Sequence, residues 1–396
     1  MKILMVLESE FPPDVRVENE ILALTEAGHE LHLACSTRKN WPEYEVYGKS
    51  IIHRKAITPF IYKSSVGCLK FPFYFNFWRK FIFRLCTEER FDVIHINDLP
   101  LSKIGVQVKQ KFNLHLVIDL HENWPALIRT ASHTQTILGR LLSSNRQWIK
   151  YEKEMLPQAD RVITIIEEAS DRVIGLGIDP EKICMVSNTI NFENLSIKNE
   201  ENTDNGFIIF YGGAINRHRG LQIALRAIKM CALKNMNVKL WIVGDGSYRK
   251  ELEDLSGNLN IDSQVKFWGQ KPFHEMLKLL AESDAAIIPH LRTDNNDASS
   301  PNKLYQYMYL NKPIISSDCT SLKRIIIETK TGFIYKNDSP EDLFLLLKKL
   351  SSDPEILKEI DGNGRKAVLE KYNWNIDKKR LLGAYRELSG DNNQFS

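Results

Sequence analysis

Short apolar runs alternate with stretches of helical periodicity along nearly the whole chain, and they do so in two blocks. In the first block KILMVL, LHLAC, DVIHIN, LHLVIDL and RVITII read as strands, and ICMVSN closes the series. After the first strand, VRVENEILALTEAGHE places apolar residues at helical spacing, with Gly28 as a stop signal. In the second block FIIFYGG, VKLWIVGDG, VKFWGQ, AAIIPH, PIISSD and TGFIY read as strands, each followed by a helical pattern. Such alternation predicts parallel sheets covered on both faces. Between the blocks, INFENLSIKNEENTDNG is polar and Asn-rich, which suits a linker. The expected fold class is therefore α/β, with two Rossmann-like, doubly wound domains over residues 1–190 and 207–371 and a linker over 191–206. The last segment, 372–396, reads as helix. Doubly wound folds bind ligands outside the carboxyl ends of their strands. With two such domains, those ends are expected to line a cleft.

Composition narrows the function classes. Lys and Arg number 53 against 50 Asp and Glu, a formal charge of +3 over 396 residues. A nucleic-acid partner is not expected, because such proteins carry a marked basic excess. The six cysteines (Cys35, Cys68, Cys86, Cys184, Cys231, Cys319) form no CxxC pair. They argue against a zinc site or a disulfide framework and fit a reducing cytosol. The opening MKILMVLESEF is too short an apolar run for a signal peptide. No run approaches the ~20 residues of a membrane span. The expected location is cytoplasmic, with at most a peripheral membrane contact.

Two stretches of the second block carry candidate chemistry. In SSPNKLYQYM, Ser300 reads as an N-cap and Pro301 as the first helical residue, leaving first-turn amides unpaired. Lys303 stands in that turn, where the helix dipole disfavours a cation. A docked diphosphate would reverse the sign by partnering both the lysine and the amides. From this stretch alone, a solvated lysine on a capped helix fits equally well. In FIIFYGGAINRHRGLQIALRA a strand runs into the glycine pair Gly212–Gly213, then a basic loop with Arg217, His218 and Arg219, then a helix. Glycines there let a ligand approach the backbone, and Arg219 can fork onto phosphate oxygens. The plain alternative is a strand–helix turn with exposed arginines.

With these stretches in place, the ordered series YGGAINRHRGL, WIVGDGSYRKEL, VKFWGQKPFHEML, SDAAIIPH, SSPNKLYQYM, NKPIISSD and TGFIY resembles the donor-binding domain of retaining glycosyltransferases of family 4, with the GT-B fold. DVRVENEILALTEAGHELHL, DVIHINDLP and LVIDLHENWP match the family's N-terminal half, and YNWNIDKKRLLGAYREL its last helix, which crosses back to the N-domain. The resemblance implies a nucleotide-sugar donor, UDP- or GDP-linked, as co-substrate, with no other cofactor and no metal. Arg219, and Lys303 with Ser299, Ser300, Pro301 and Asn302, fall on the family's diphosphate contacts, beside Gly212 and Gly213. Two family glutamates eight positions apart are Ala298 and Gln306 here. Gln306 can still bond a ribose diol. Ala298 cannot meet sugar hydroxyls, which turns attention to Asp297 or Asn296. The arginine often found in the first loop is Ala214. His121, in LVIDLHENWP with Asp119 and Glu122, falls where the family contacts the donor sugar. Asp14 and Arg16 fall in the loop beside the acceptor.

The remaining candidates read more plainly. Glu18 and Glu20 suit helix-start charges, His95 a core histidine, Asp98 a turn aspartate, and Asp245 and Gly246 turn residues. KSSVGCLKFPFYFNFWRKFIFRLCTEER fits either a peripheral membrane surface, with Lys70, Arg79, Lys80 and Arg84 on anionic headgroups, or a helix packed on the sheet with snorkelling cations. The function expected is retaining transfer of a sugar from a nucleoside-diphosphate sugar to an acceptor hydroxyl, in cell-surface polysaccharide or glycolipid synthesis. The alternatives are a nucleotide-sugar epimerase and an inactive scaffold that keeps the fold. A dinucleotide oxidoreductase is disfavoured, since no GxGxxG follows a strand.

Overall fold

The computed structural model describes residues 1–130, 134, 136–192, 206–353 and 355–390. Of the stretch read as a linker, all but Asn191, Phe192 and Gly206 lies outside the described residues. The chain folds into two compact units, Met1–Ser187 with Asp377–Ser396, and Asn188–Ile376.

The first unit holds strands β1 (Lys2–Leu7), β2 (Glu30–Thr37), β3 (Tyr44–Tyr47), β4 (Ser50–Ala56), β5 (Val93–Asn97), β6 (His115–Leu120), β7 (Arg161–Thr164) and β8 (Ile183–Met185). They form one sheet in the order β3-β4-β2-β1-β5-β6-β7-β8. β1 buries Ile3, Leu4, Met5 and Val6 completely, as a central parallel strand covered on both faces must. β3 pairs antiparallel with β4 and forms the sheet edge. Neither strand is apparent from the alternation, because no helix separates them: the chain reverses at Gly48, whose φ is 59°. The connection from β1 leads outward to β2 and returns on the other side at β5. The carboxyl ends of β1 and β5 therefore flank a switch point, where doubly wound sheets bind ligands.

The aromatic stretch forms the helix Phe73–Glu88, which buries Tyr74, Phe75, Trp78, Phe81, Ile82, Leu85 and Cys86 in the core of this unit. Its body is thus packed. Phe71 and Phe73 at its start are exposed. The helix Trp374–Ser389 is the last element among the described residues, and its Tyr385 hydroxyl lies 2.7 Å from His95 Nδ1 inside the first unit.

The second unit holds β9 (Phe207–Gly212), β10 (Val238–Val243), β11 (Val265–Gly269), β12 (Ala285–Ile288), β13 (Ile314–Ser317) and β14 (Gly332–Tyr335). The sheet is parallel throughout, in the order β11-β10-β9-β12-β13-β14. Ile209, Leu240, Ile242, Ala285 and Ile287 belong to its core, with Leu225 and Ile228 of the helix Leu221–Leu233. Its switch point lies between β9 and β12, and both candidate phosphate-binding stretches sit at that end of the sheet.

Candidate active site

In the second unit the candidate cations converge. Lys303 is on the first turn of the helix Asn302–Tyr309, and 8% of it is exposed. Its Nζ is buried, has no hydrogen-bond partner among the described residues, and lies 3.7 Å from the centre of the Tyr211 ring. Burial and the nearby Arg219 hold its pKa well below the usual lysine range. Gly213, with φ 131°, leaves room for this amine: a Cβ there would stand 2.9 Å from Lys303 Nζ. Arg219 ends a short 3-10 turn after β9. Its Nη1 lies 3.2 Å from Nε2 of His290, and its Nε is buried without a hydrogen-bond partner among the described residues. His290 follows β12, is fully enclosed, and has its pKa driven well below the usual value by burial and by Arg219. It therefore stays neutral and adds no charge. Two basic groups are thus gathered with no carboxylate partner of their own among the described residues. That arrangement is unfavourable unless a polyanion completes it.

Several expectations about these loops need correction. Ser300 does not cap the helix. Pro301 occupies the cap position with ψ 141°, and no side chain caps the helix. The Tyr305 hydroxyl lies 3.0 Å from Ser300 Oγ, holding that hydroxyl in a different bond. Proline has no amide hydrogen, so the first-turn amides on offer are those of Asn302 and Lys303. The glycine amides are already used: Gly212 donates to the Tyr307 hydroxyl at 2.9 Å and Gly213 to the Val243 carbonyl at 2.9 Å. Asp297 accepts from Arg292 and from the Thr320 amide, while Asn296 is buried and donates to the Leu291 carbonyl. Ser299 gives its carbonyl to the Ser321 hydroxyl. Ala298 is buried and Gln306 partly exposed. The Ala214 carbonyl accepts from the Tyr211 hydroxyl, and Asp245 bonds the Gly246 amide.

In the first unit a charged cluster assembles at the carboxyl ends of β1, β5 and β6. Arg16 grips Asp119 with two bonds, Nε to Oδ2 at 2.9 Å and Nη2 to Oδ1 at 2.8 Å, and donates to the Val186 carbonyl. His121 Nε2 lies 2.9 Å from Asp119 Oδ2, and Nδ1 lies 3.7 Å from Asp98 Oδ2. Burial opposes a charge on His121, but Asp119 and Asp98 outweigh it and push its pKa up to about 9. It is an imidazolium at neutral pH. Asp119 is fully buried; Arg16 and His121 overcome that burial and hold it well below the usual carboxylate range.

Glu20 is not a solvated helix-start charge. It is fully buried, 3.2 Å from Arg16 Nε and 3.8 Å from His95 Nε2. Burial and Asp119 push its pKa up to about 8. Asp98 does more than turn the chain: it accepts from the His121 amide, and burial pushes it up to about 6. Asp14 caps the helix Val15–Glu26 by accepting from the amides of Arg16 and Val17. Glu122 has one buried oxygen without a hydrogen-bond partner among the described residues. Sequence reasoning missed His290 and misread Glu20. The first has the same signal as His121, a histidine just past a strand. The second has only Arg16 four residues earlier, a spacing common on solvated helix faces.

Comparison with known proteins agrees with this division. The family described as Glycosyltransferase Family 4 matches residues 14–194, and Glycosyl transferases group 1 matches residues 191–367. An uncharacterized glycosyltransferase, MJ1607 of Methanocaldococcus jannaschii, is 25% identical over 314 residues, covering 75% of this chain and 76% of its own. The amylovoran biosynthesis glycosyltransferase AmsK of Erwinia amylovora is 22% identical over 251 residues, covering 62% and 60%. The structure of Anabaena Alr3699/HepE in complex with UDP-glucose superposes with a TM-score of 0.70 at 15% identity, over 98% of this chain and all of that one. Two family matches meet end to end over residues 14–367 on two doubly wound units, and the chain belongs to the group 1 glycosyltransferases of GT-B fold.

Proposed function

We propose that the protein is a retaining, metal-independent glycosyltransferase. It moves a sugar from a nucleoside diphosphate, UDP- or GDP-linked, to a hydroxyl of a saccharide or lipid-linked saccharide in cell-surface polysaccharide synthesis. The observation that carries this reading is Lys303: a buried amine with no hydrogen-bond partner among the described residues, on an uncapped helix N-terminus, beside Arg219. As the glycosidic bond breaks, negative charge gathers on the leaving diphosphate. Lys303, Arg219 and the amides of Asn302 and Lys303 would stabilise that charge, and such preorganised stabilisation is commonly the largest catalytic contribution. Gln306, on the same helix, is proposed to bond the ribose. His121 already carries its proton near neutral pH, so it is assigned as a hydrogen-bond donor to substrate hydroxyls rather than a base. In retaining chemistry of this family type, the leaving phosphate takes the acceptor's proton. UDP-glucose in a structural neighbour and polysaccharide synthesis in a relative's name support the substrate classes.

The test is incubation with UDP-, GDP- and ADP-sugars, with the anomeric configuration of any product read by NMR. An inverted product removes the retaining assignment. A changed sugar formed from donor alone points to the epimerase reading. Ala298, which offers no polar group where a sugar contact is expected, favours the scaffold alternative. Binding of no nucleotide would establish that alternative.

We also propose a peripheral contact with an anionic membrane. Phe60, Tyr62, Phe71 and Phe73 are 47–64% exposed. Phe73 is 5.5 Å from Phe60 and 6.4 Å from Phe71 between ring centres. Residues 46–87 contain eight Lys and Arg and no Asp or Glu. Arg79 is spent internally, on Gln107 and Asn76. Lys63, Lys70 and Lys80 are exposed.

A further inference from the structure

The first unit contains a cavity of about 200 Å³ that the charged cluster does not use. It is walled by Glu8, Ser65, Cys68, Tyr74, Trp124 and Trp148, among others. Glu8 directly follows β1, whose carboxyl end flanks the switch point, and Trp124 begins the helix Trp124–Thr130, four residues past the end of β6.

Two polar features make the cavity more than a packing defect. Glu8 Oε1 accepts a hydrogen bond from the Tyr74 hydroxyl at 2.5 Å. Burial, relieved by that bond and reinforced by the charge of Asp98, pushes the Glu8 pKa up to about 7. Trp124 Nε1 is buried with no hydrogen-bond partner among the described residues. An unsatisfied buried donor costs free energy that a ligand hydroxyl can recover. Trp148 is spent differently, donating to Ser143 Oγ at 2.9 Å. Asp98 also links the cavity to the candidate site, since its carboxylate lies beside His121.

The shape and chemistry select an occupant. The volume is below the ~300 Å³ at which pockets for drug-sized ligands begin, so one ring-sized group fits. A purely apolar occupant would leave the Trp124 N–H desolvated and unpaired, which is costly. A ring with apolar C–H faces and hydroxyls on its edge satisfies both the aromatic walls and the polar groups. We propose that this cavity is the acceptor subsite and takes one sugar ring, with Glu8 accepting from a ring hydroxyl and Trp124 Nε1 donating to another. The proposal rests on the glycosyl-transfer reading for the word acceptor, and on the cavity alone for the sugar.

Saturation-transfer NMR on the full chain tests it, with the methyl α- and β-pyranosides of glucose, galactose and mannose as probes. At least one glycoside should receive saturation. Glu8→Ala and Trp124→Phe should each weaken it at least tenfold, with folding checked by thermal melts, and Lys303→Ala should leave it within twofold. No transfer to any of the six glycosides overturns the proposal, as does an unchanged signal in Trp124→Phe, which keeps the aromatic wall. UDP and GDP titrated in parallel separate the two readings. Nucleotide binding without glycoside binding removes the subsite alone. Glycoside binding without nucleotide binding leaves the subsite and removes the transferase reading.

Discussion

Lys303 Nζ lies 3.7 Å from the centre of the Tyr211 ring, and that π-face is what the buried amine has in place of a hydrogen-bond partner. A ring face attracts a cation, but it does not replace the water lost by burial, so the lysine's pKa falls. A diphosphate would restore the charge. Binding of UDP or GDP should therefore take up a proton, and affinity should weaken as pH rises above the free-state pKa. Calorimetry of the same titration in two buffers of different ionisation enthalpy measures the uptake. Identical apparent enthalpies in both buffers would refute it.

The same burial predicts a trade between stability and function. Lys303→Met removes an unpaired buried amine and keeps its apolar stem, so the ligand-free protein should melt higher than wild type. Turnover should drop by about 10²–10³, the usual loss when one preorganised charge-stabilising group is deleted. Saturating nucleotide at ~100 times its dissociation constant should stabilise the wild type by about 2.7 kcal/mol and the variant far less. A variant that melts lower and still responds to nucleotide would show that Lys303 is only a structural residue.

The charged cluster of the first unit predicts a pH dependence of stability. His121 has a folded pKa of about 9 against an ordinary 6.5. A group raised on folding stabilises fully below its unfolded pKa, and that contribution disappears as pH climbs through the folded value. Glu20, raised to about 8, acts with the same sign. These two groups should thus lower the unfolding free energy between pH 6.5 and 9, with His121 supplying on the order of 3 kcal/mol, while Lys303 and Lys312, both lowered on folding, act with the opposite sign. Urea titrations at both pH values should show a smaller fall in His121→Gln. An equal fall in both proteins would remove His121 as the source.

These groups show how unevenly the site is legible in sequence. The strand–helix alternation reports burial on both faces of a parallel sheet, so it revealed every strand except the edge pair β3–β4, joined by a turn at Gly48. Lys303 and His121 stand out because each is a charged or titratable residue at an element end that faces ligands. Glu20 does not stand out. Arg16, four residues earlier on the same helix, is a local partner, but what makes Glu20 unusual is tertiary: His95 and Asp119 come to it from other strands, and local pattern carries no trace of that. The Ser300 misreading has a related cause. A serine before a proline has the composition of a cap, yet Tyr305, five residues on, engages its hydroxyl. The Glu8 cavity depends on Tyr74 and Trp124, which lie 66 and 116 positions away, and so it emerges only from the fold.

Tyr385 on the last helix predicts a defined cost. Its hydroxyl is 2.7 Å from His95 Nδ1, and both residues are fully buried. Tyr385→Phe keeps the ring and leaves His95 Nδ1 without this partner, which should cost about 1–3 kcal/mol. His95→Phe with Tyr385→Phe, removing both polar groups, should cost less than the sum of the single changes. Additive losses in a double-mutant cycle would show that the contact contributes nothing.

The exposed aromatic cluster at Phe60, Tyr62, Phe71 and Phe73 predicts membrane binding of a particular kind. Rings alone would partition into any bilayer interface, while the exposed Lys63, Lys70 and Lys80 beside them would prefer an anionic one. Co-sedimentation with phosphatidylglycerol-containing vesicles should therefore exceed that with phosphatidylcholine alone, and it should weaken as salt shortens the screening length. Phe60→Ser with Phe71→Ser and Phe73→Ser should reduce binding to both vesicle types, because it removes insertion and leaves the charge. Lys63→Gln with Lys70→Gln should reduce only the anionic preference. Neither set touches the core face of the helix Phe73–Glu88, which turns Tyr74, Phe75 and Trp78 inward, so folding should survive. Equal sedimentation of wild type and the serine variant on anionic vesicles would mean that the rings do not insert, and the cluster would then be a surface for something other than lipid.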